Sequence, residues 1–114
     1  MIPSGSKRLR QLRLKKVVVE PDAWEALAAI PTLRNLDLIE CNDIDDAALA
    51  GIARTKAKFV VFKDCTFKGG FPVNSLARLA GMDTVQFQSC LGLSELDMNI
   101  LRHRMANCRV VFKD

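Results

Sequence analysis

The chain is 114 residues long, 49% apolar and 26% charged, a balance that fits one globular domain, residues 1–114, and excludes a disordered chain. Its apolar runs fall far short of the roughly 20 residues that span a bilayer, and no signal peptide is expected behind the basic start. The net charge of +4 is uneven: Lys7, Arg8, Arg10, Arg13, Lys15 and Lys16 supply six positive charges, leaving eleven basic against thirteen acidic residues elsewhere.

The first predicted strand lies in LRQLRLKKV, Leu9 to Val17, where Leu12 and Leu14 alternate with Gln11, Arg13 and Lys15. Such a period of two marks a strand with one buried face. A helix is predicted over PDAWEALAAI, where Pro21 suits the first turn and Trp24, Leu27, Ala28 and Ile30 fall mostly on one side. LRNLDLIEC, Leu33 to Cys41, then sends Leu36, Leu38 and Cys41 inward and Asn35, Asp37 and Ile39 outward. DIDDAALAGIA opens on aspartates that favour a helix N-terminus, followed by inward Leu49 and Ile52. The third strand, in AKFVVFKDC, turns Val60 and Phe62 inward. Gly69-Gly70 stands where a helix would otherwise start, so an irregular loop is expected there. Helical spacing resumes in FPVNSLARLAGM, with Leu76 and Leu79 inward and Gly81 ending the turn. MDTVQFQSC, Met82 to Cys90, points Val85 and Phe87 inward. In SELDMNILRHRM, Ser94 and Asp97 have the spacing of a capping box, and Leu96, Ile100 and Leu101 form the apolar set. NCRVVFKD supplies a fifth strand with Val110 and Phe112 inward.

These units start at 9, 33, 57, 82 and 107, spaced by 24, 24, 25 and 25 residues. Self-similarity at such a period signals a repeat architecture. Strands joined by helical crossovers must run parallel, and the crossovers are almost always right-handed. Helices are wider than strands, so the expected fold is an α/β right-handed solenoid, its parallel sheet on the concave face and its helices on the convex face. No single unit can bury its own apolar face, so each relies on its neighbours.

The pattern LxxLxLxxC, followed by LAxI or LARL, resembles the leucine-rich repeat in its cysteine-containing subclass. The best matches are LRNLDLIECNDIDDAALAGIA and MDTVQFQSCLGLSELDMNIL, and the likeness covers residues 9–114 in about five copies. It implies a scaffold and leaves function open. The third copy departs from it at Ala57, Val60 and Phe62. Dedicated caps are missing, and the last copy stops one residue short of its cysteine position. The final strand is therefore expected to present a free edge, able to pair with another chain or with a second copy of itself, unless the chain is a piece of a longer array.

Nothing in the chain assembles an enzyme site. The one histidine, His103, lies between two arginines as on a solvated helix face, and Cys108 nearby is placed towards the outer side. Asp43, Asp45 and Asp46 lack the glycine and distal glutamate of a calcium loop. Gly69-Gly70 lacks the lysine and Ser/Thr of a phosphate loop. Cys41, Cys65 and Cys90 mark one repeat position, where packing is a better account than zinc ligation. Stacked strands bring equivalent residues within disulfide reach, yet reduced thiols are expected, in an intracellular setting such as the cytoplasm or an organellar matrix. No cofactor or metal is expected.

The outward strand positions form three columns: Gln11, Asn35, Phe59, Thr84, Arg109; then Arg13, Asp37, Val61, Gln86, Val111; then Lys15, Ile39, Lys63, Gln88, Lys113. Ile39, Phe59, Val61 and Val111 are apolar where a solvated strand prefers polar groups, and an apolar spot rimmed by charge marks a partner site. The candidate partner-binding residues are thus Arg13, Lys15, Asp37, Ile39, Phe59, Val61, Lys63, Gln86, Gln88, Arg109, Val111 and Lys113. The expected function is non-enzymatic protein–protein interaction through this face. The alternative is a structural subunit of a larger complex, docked through its last strand and helices. Nucleic acid is disfavoured, because no aromatic residues interleave the basic run Lys7–Lys16 to stack on bases.

Overall fold

The computed structural model describes residues 9–18, 20–68, 73–90 and 94–113. Five strands, β1 (Gln11–Lys15), β2 (Asn35–Ile39), β3 (Phe59–Lys63), β4 (Thr84–Gln88) and β5 (Arg109–Lys113), form one parallel sheet in the order β1-β2-β3-β4-β5. The sheet is open, and every strand pairs with its neighbour in sequence. Pairing joins residues 24 or 25 positions apart, so Leu12, Leu36, Val60, Val85 and Val110 share one row and Leu14, Leu38, Phe62, Phe87 and Phe112 the next. β-branched, leucine and aromatic side chains in these two rows fill the inward face of each strand.

Four α-helices lie between the strands: α1 (Pro21–Ala28), α2 (Asp46–Arg54), α3 (Val73–Leu76) and α4 (Glu95–Arg104). Pro21 opens α1 at its first turn. Asp45 caps α2, its carboxylate accepting the Ala48 N–H at 2.9 Å, and the Ser94 hydroxyl accepts the Asp97 N–H at 3.1 Å to cap α4. Leu27, Leu49, Ile52, Leu76 and Leu101 come off these helices into the same core as the two inward strand rows. All the helices therefore cover one face of the sheet and leave the other bare.

Several local expectations need correction. FPVNSLARLAGM does not make one α-helix: α3 ends at Leu76 and a 3₁₀ turn, Ala77–Gly81, completes the crossover. Leu76 and Leu79 are both fully buried, and three residues per turn aligns this i, i+3 pair. Leu96 and Ile100 do not join the core; they are 68% and 38% exposed, while Leu101 and Met105, one turn apart, face inward instead. Cys108 is buried, not turned outward. Gly69-Gly70, Lys7 and Arg8 lie outside the described residues.

A corner recurs where the chain leaves each of the first four strands. Lys16, Glu40, Asp64 and Ser89 have φ of 54°, 53°, 52° and 53°, the left-handed region. Strict alternation would send Cys41 outward, two positions past Ile39; the left-handed turn at Glu40 redirects the chain so that Cys41 goes in. Non-glycine residues there cost about 1–2 kcal/mol each. A ladder of hydrogen bonds offsets the cost: each corner N–H donates to a carbonyl of the following strand, Lys16 to Ile39, Glu40 to Lys63, Asp64 to Gln88 and Ser89 to Lys113, at 2.8–2.9 Å.

Candidate functional site: the bare face of the sheet

The face turned away from the helices carries the odd positions of every strand. The register sets Gln11, Asn35, Phe59, Thr84 and Arg109 side by side, then Arg13, Asp37, Val61, Gln86 and Val111, then Lys15, Ile39, Lys63, Gln88 and Lys113. All twelve residues expected to bind a partner stand on this one surface. They form a smaller apolar centre than the sequence suggests: Val61 adjoins Phe59 on its own strand and Ile39 diagonally across, Ile39 and Phe59 lie two rows apart, and Gln86 separates Val111 from Val61. Phe59 is the most open of them at 42% exposure.

Charge on the face is lopsided. Arg13, Lys15, Lys63, Arg109 and Lys113 are all exposed, whereas Asp37 is the one acid in the three rows. Asp37 is already engaged, accepting from the Gln11 amide at 3.2 Å and lying 3.9 Å from the Arg13 guanidinium. Gln86 donates to Gln88 at 3.4 Å, which ties two polar groups of β4 to each other. Lys15, Lys63 and Lys113 form no ion pair with any described residue. An apolar centre beside unpaired cations is a surface that can desolvate an anchor and steer an acidic group.

The cysteines sit at the rim of the opposite, buried face, and their chemistry points to packing. The Cys65 thiol donates to the Leu38 carbonyl at 3.2 Å and Cys90 to the Phe62 carbonyl at 3.3 Å; Cys41 reaches Leu14 O at 3.6 Å. All four cysteines are free thiols. Burial pushes the Cys65 thiol up to about 12 and raises Cys90 and Cys108 as well. A thiol held protonated is a poor nucleophile and a poor metal ligand. A thiol whose folded value is raised favours the fold fully below its unfolded value, and for Cys65 that contribution is lost as pH rises from about 9 towards about 12. Urea midpoints should therefore fall as pH is raised above about 9, and Cys65→Ala should flatten the slope. A midpoint independent of pH across that window would contradict buried, protonated thiols.

An open cleft of about 950 Å³ beyond the C-terminal ends of β1–β3, lined by Val17, Val18, Trp24, Asp43 and Asp64 among others, was not legible from spacing. Two of its carboxylates already serve the fold. Glu40 pairs with Lys16 at 3.3 Å and Asp45 caps α2. His103 is exposed on α4. Asp46 is held below the usual carboxylate range by the Ser75 hydroxyl and then by Arg78. No described helix is long and apolar enough to cross a membrane.

The edge strand β5 also bears on partners. Two-fold antiparallel pairing of β5 with a second copy, centred on Val111, would set Arg109 against the other chain's Lys113. Like charges directly opposed destabilise such a pair, and lysine on an edge strand discourages this kind of pairing. No family model, curated protein or solved structure matches the chain.

Proposed function

We propose that this protein is a non-enzymatic recognition module of the leucine-rich-repeat type, a solenoid that holds a partner protein on its bare sheet face. The observation that carries the reading is the outward row structure: an exposed Phe59 beside Val61, Ile39 diagonal to Val61, and Lys15, Lys63 and Lys113 forming no ion pair with any described residue. A solvated sheet face has no need of an exposed phenylalanine, and interface anchors are typically aromatic groups set in an apolar centre with a polar rim.

Phe59→Ser with Val61→Ser should remove capture of the partner in affinity purification followed by mass spectrometry. The thermal midpoint should stay within a few degrees of the parent, because both side chains point away from the core. Capture that survives the double substitution would overturn the proposal. A second reading, a structural subunit docked through its helices, is favoured by the exposed Leu96 and Ile100 on α4. Loss of capture in Leu96→Ser with Ile100→Ser, and not in the strand variant, would move the interface to that helix.

A further inference from the structure

Resting on the sheet-face reading above, we infer that the occupant of this face is an acidic amphipathic helix of the partner, laid across the strands. The row Lys15, Ile39, Lys63, Gln88, Lys113 alternates a lysine with an uncharged residue from one strand to the next. Adjacent strands are about 4.8 Å apart, so the three lysines recur at about 9.6 Å and span about 19 Å. Seven residues of α-helix rise about 10.5 Å and return to within about 20° of the same direction. Acids at i, i+7 and i+14 on one helix therefore meet Lys15, Lys63 and Lys113 in turn.

An extended strand fits less well. Its same-side residues recur at about 6.6 Å or about 13 Å, and neither matches the lysine row. On the helix, an apolar residue three or four places after the first acid lies about 4.5–6 Å along the axis, over the strand of Ile39, with Val61 one outward row away on β3. Ile39 and Val61 supply the apolar contact under the helix, Phe59 extends it two rows away along β3, and the lysines select the partner's charge and orientation. Exposed ion pairs contribute little singly, so the anchor carries most of the affinity and the row carries the discrimination.

The test uses a fluorescein-labelled synthetic helix with glutamates at seven-residue spacing and leucine three places after each of the first two, read by anisotropy against the full chain. A control peptide of the same composition has its glutamates at five-residue spacing, which scatters them around the helix. The heptad peptide should bind at least about tenfold more tightly than the control, and Lys15→Glu with Lys63→Glu and Lys113→Glu should weaken it by about tenfold or more. The Lys→Gln triple variant should give a smaller loss in the same direction, with circular dichroism unchanged for both. Equal binding of the two peptides, indifference to charge reversal, or tighter binding of an oligouridine RNA at equal salt would overturn the inference. Capture of the natural partner separates the two claims. If it is lost with Phe59→Ser and Val61→Ser yet unaffected by lysine reversal, the acidic helix falls and the sheet face keeps its role; if it ignores both, the two readings fall together.

Discussion

Phe87→Ala should lower the unfolding free energy by about 3–5 kcal/mol, the range for an aromatic ring deleted from a closed core. Phe87 is fully buried in β4 and lies between two parallel rings, Phe62 and Phe112, each with centroids 5.3 Å away and planes within 13°. Phe67 meets it edge-on at 6.1 Å. Removing the middle ring withdraws contacts from three others at once, and the backbone on both sides is tied by ladder hydrogen bonds and cannot collapse into the space. A domain of this size has only about 5–15 kcal/mol in total, so the variant would be marginal. Phe112→Ala should cost less. Phe112 is half-buried at the end of the stack, where the Arg102 guanidinium covers it 4.9 Å from the ring centre. Phe87→Leu should be milder too, since Leu14 and Leu38 fill the same row in β1 and β2. Urea denaturation of the three variants measures the order. A loss below about 1 kcal/mol for Phe87→Ala would mean that the stacked rings do not sustain the core.

Gly51→Ala should destabilise the protein even though it sits in the helix α2, where alanine outranks glycine by about 1 kcal/mol. A Cβ on Gly51 would stand 2.5 Å from Trp24 Cγ and 2.8 Å from both Trp24 Cβ and Cδ1. These atoms belong to the root of a buried indole, 3% exposed, and have no free end to swing aside. Either α2 moves away from α1 or the indole leaves its place. Overpacking of this kind costs about 1–3 kcal/mol, which outweighs the propensity gain. Trp24→Leu should relieve the clash, so Gly51→Ala should cost less in that background than alone. A thermal midpoint that rises on Gly51→Ala would show that the two helices are free to separate. The indole N–H has no hydrogen-bond partner among the described residues, so Trp24→Phe should be far milder than Trp24→Ala.

Much of the architecture was legible because it is written in two periods. Alternation within each strand and recurrence every 24 or 25 residues together give the pairing register, so the three outward columns coincide with the observed rows. What escaped is local. Lys16, Glu40, Asp64 and Ser89 adopt left-handed corners without a glycine to announce them; an inward thiol after Glu40, Asp64 and Ser89 betrays three of these turns, while exposed Val17 follows Lys16. Leu96 and Ile100 make a valid apolar pair at helical spacing. Which of two such pairs faces inward depends on how α4 rests on its neighbours, a tertiary choice that leaves no mark on the helix itself. Gly81 also carried less than its identity suggested: a Cβ there would meet nothing within 4 Å, and its backbone needs no glycine. The candidate surface was readable as a set of residues. Its division by Gln86 and the engagement of Asp37 depend on which side chains become neighbours across strands.

Because each strand touches only the strands before and after it in sequence, robustness in this protein is graded along a line instead of radiating from a centre. β3 is clasped from both sides, while β1 and β5 each lean on one neighbour among the described residues. Phe59 belongs to the middle strand of the five, so fraying that starts at either end of the row should reach its backbone last.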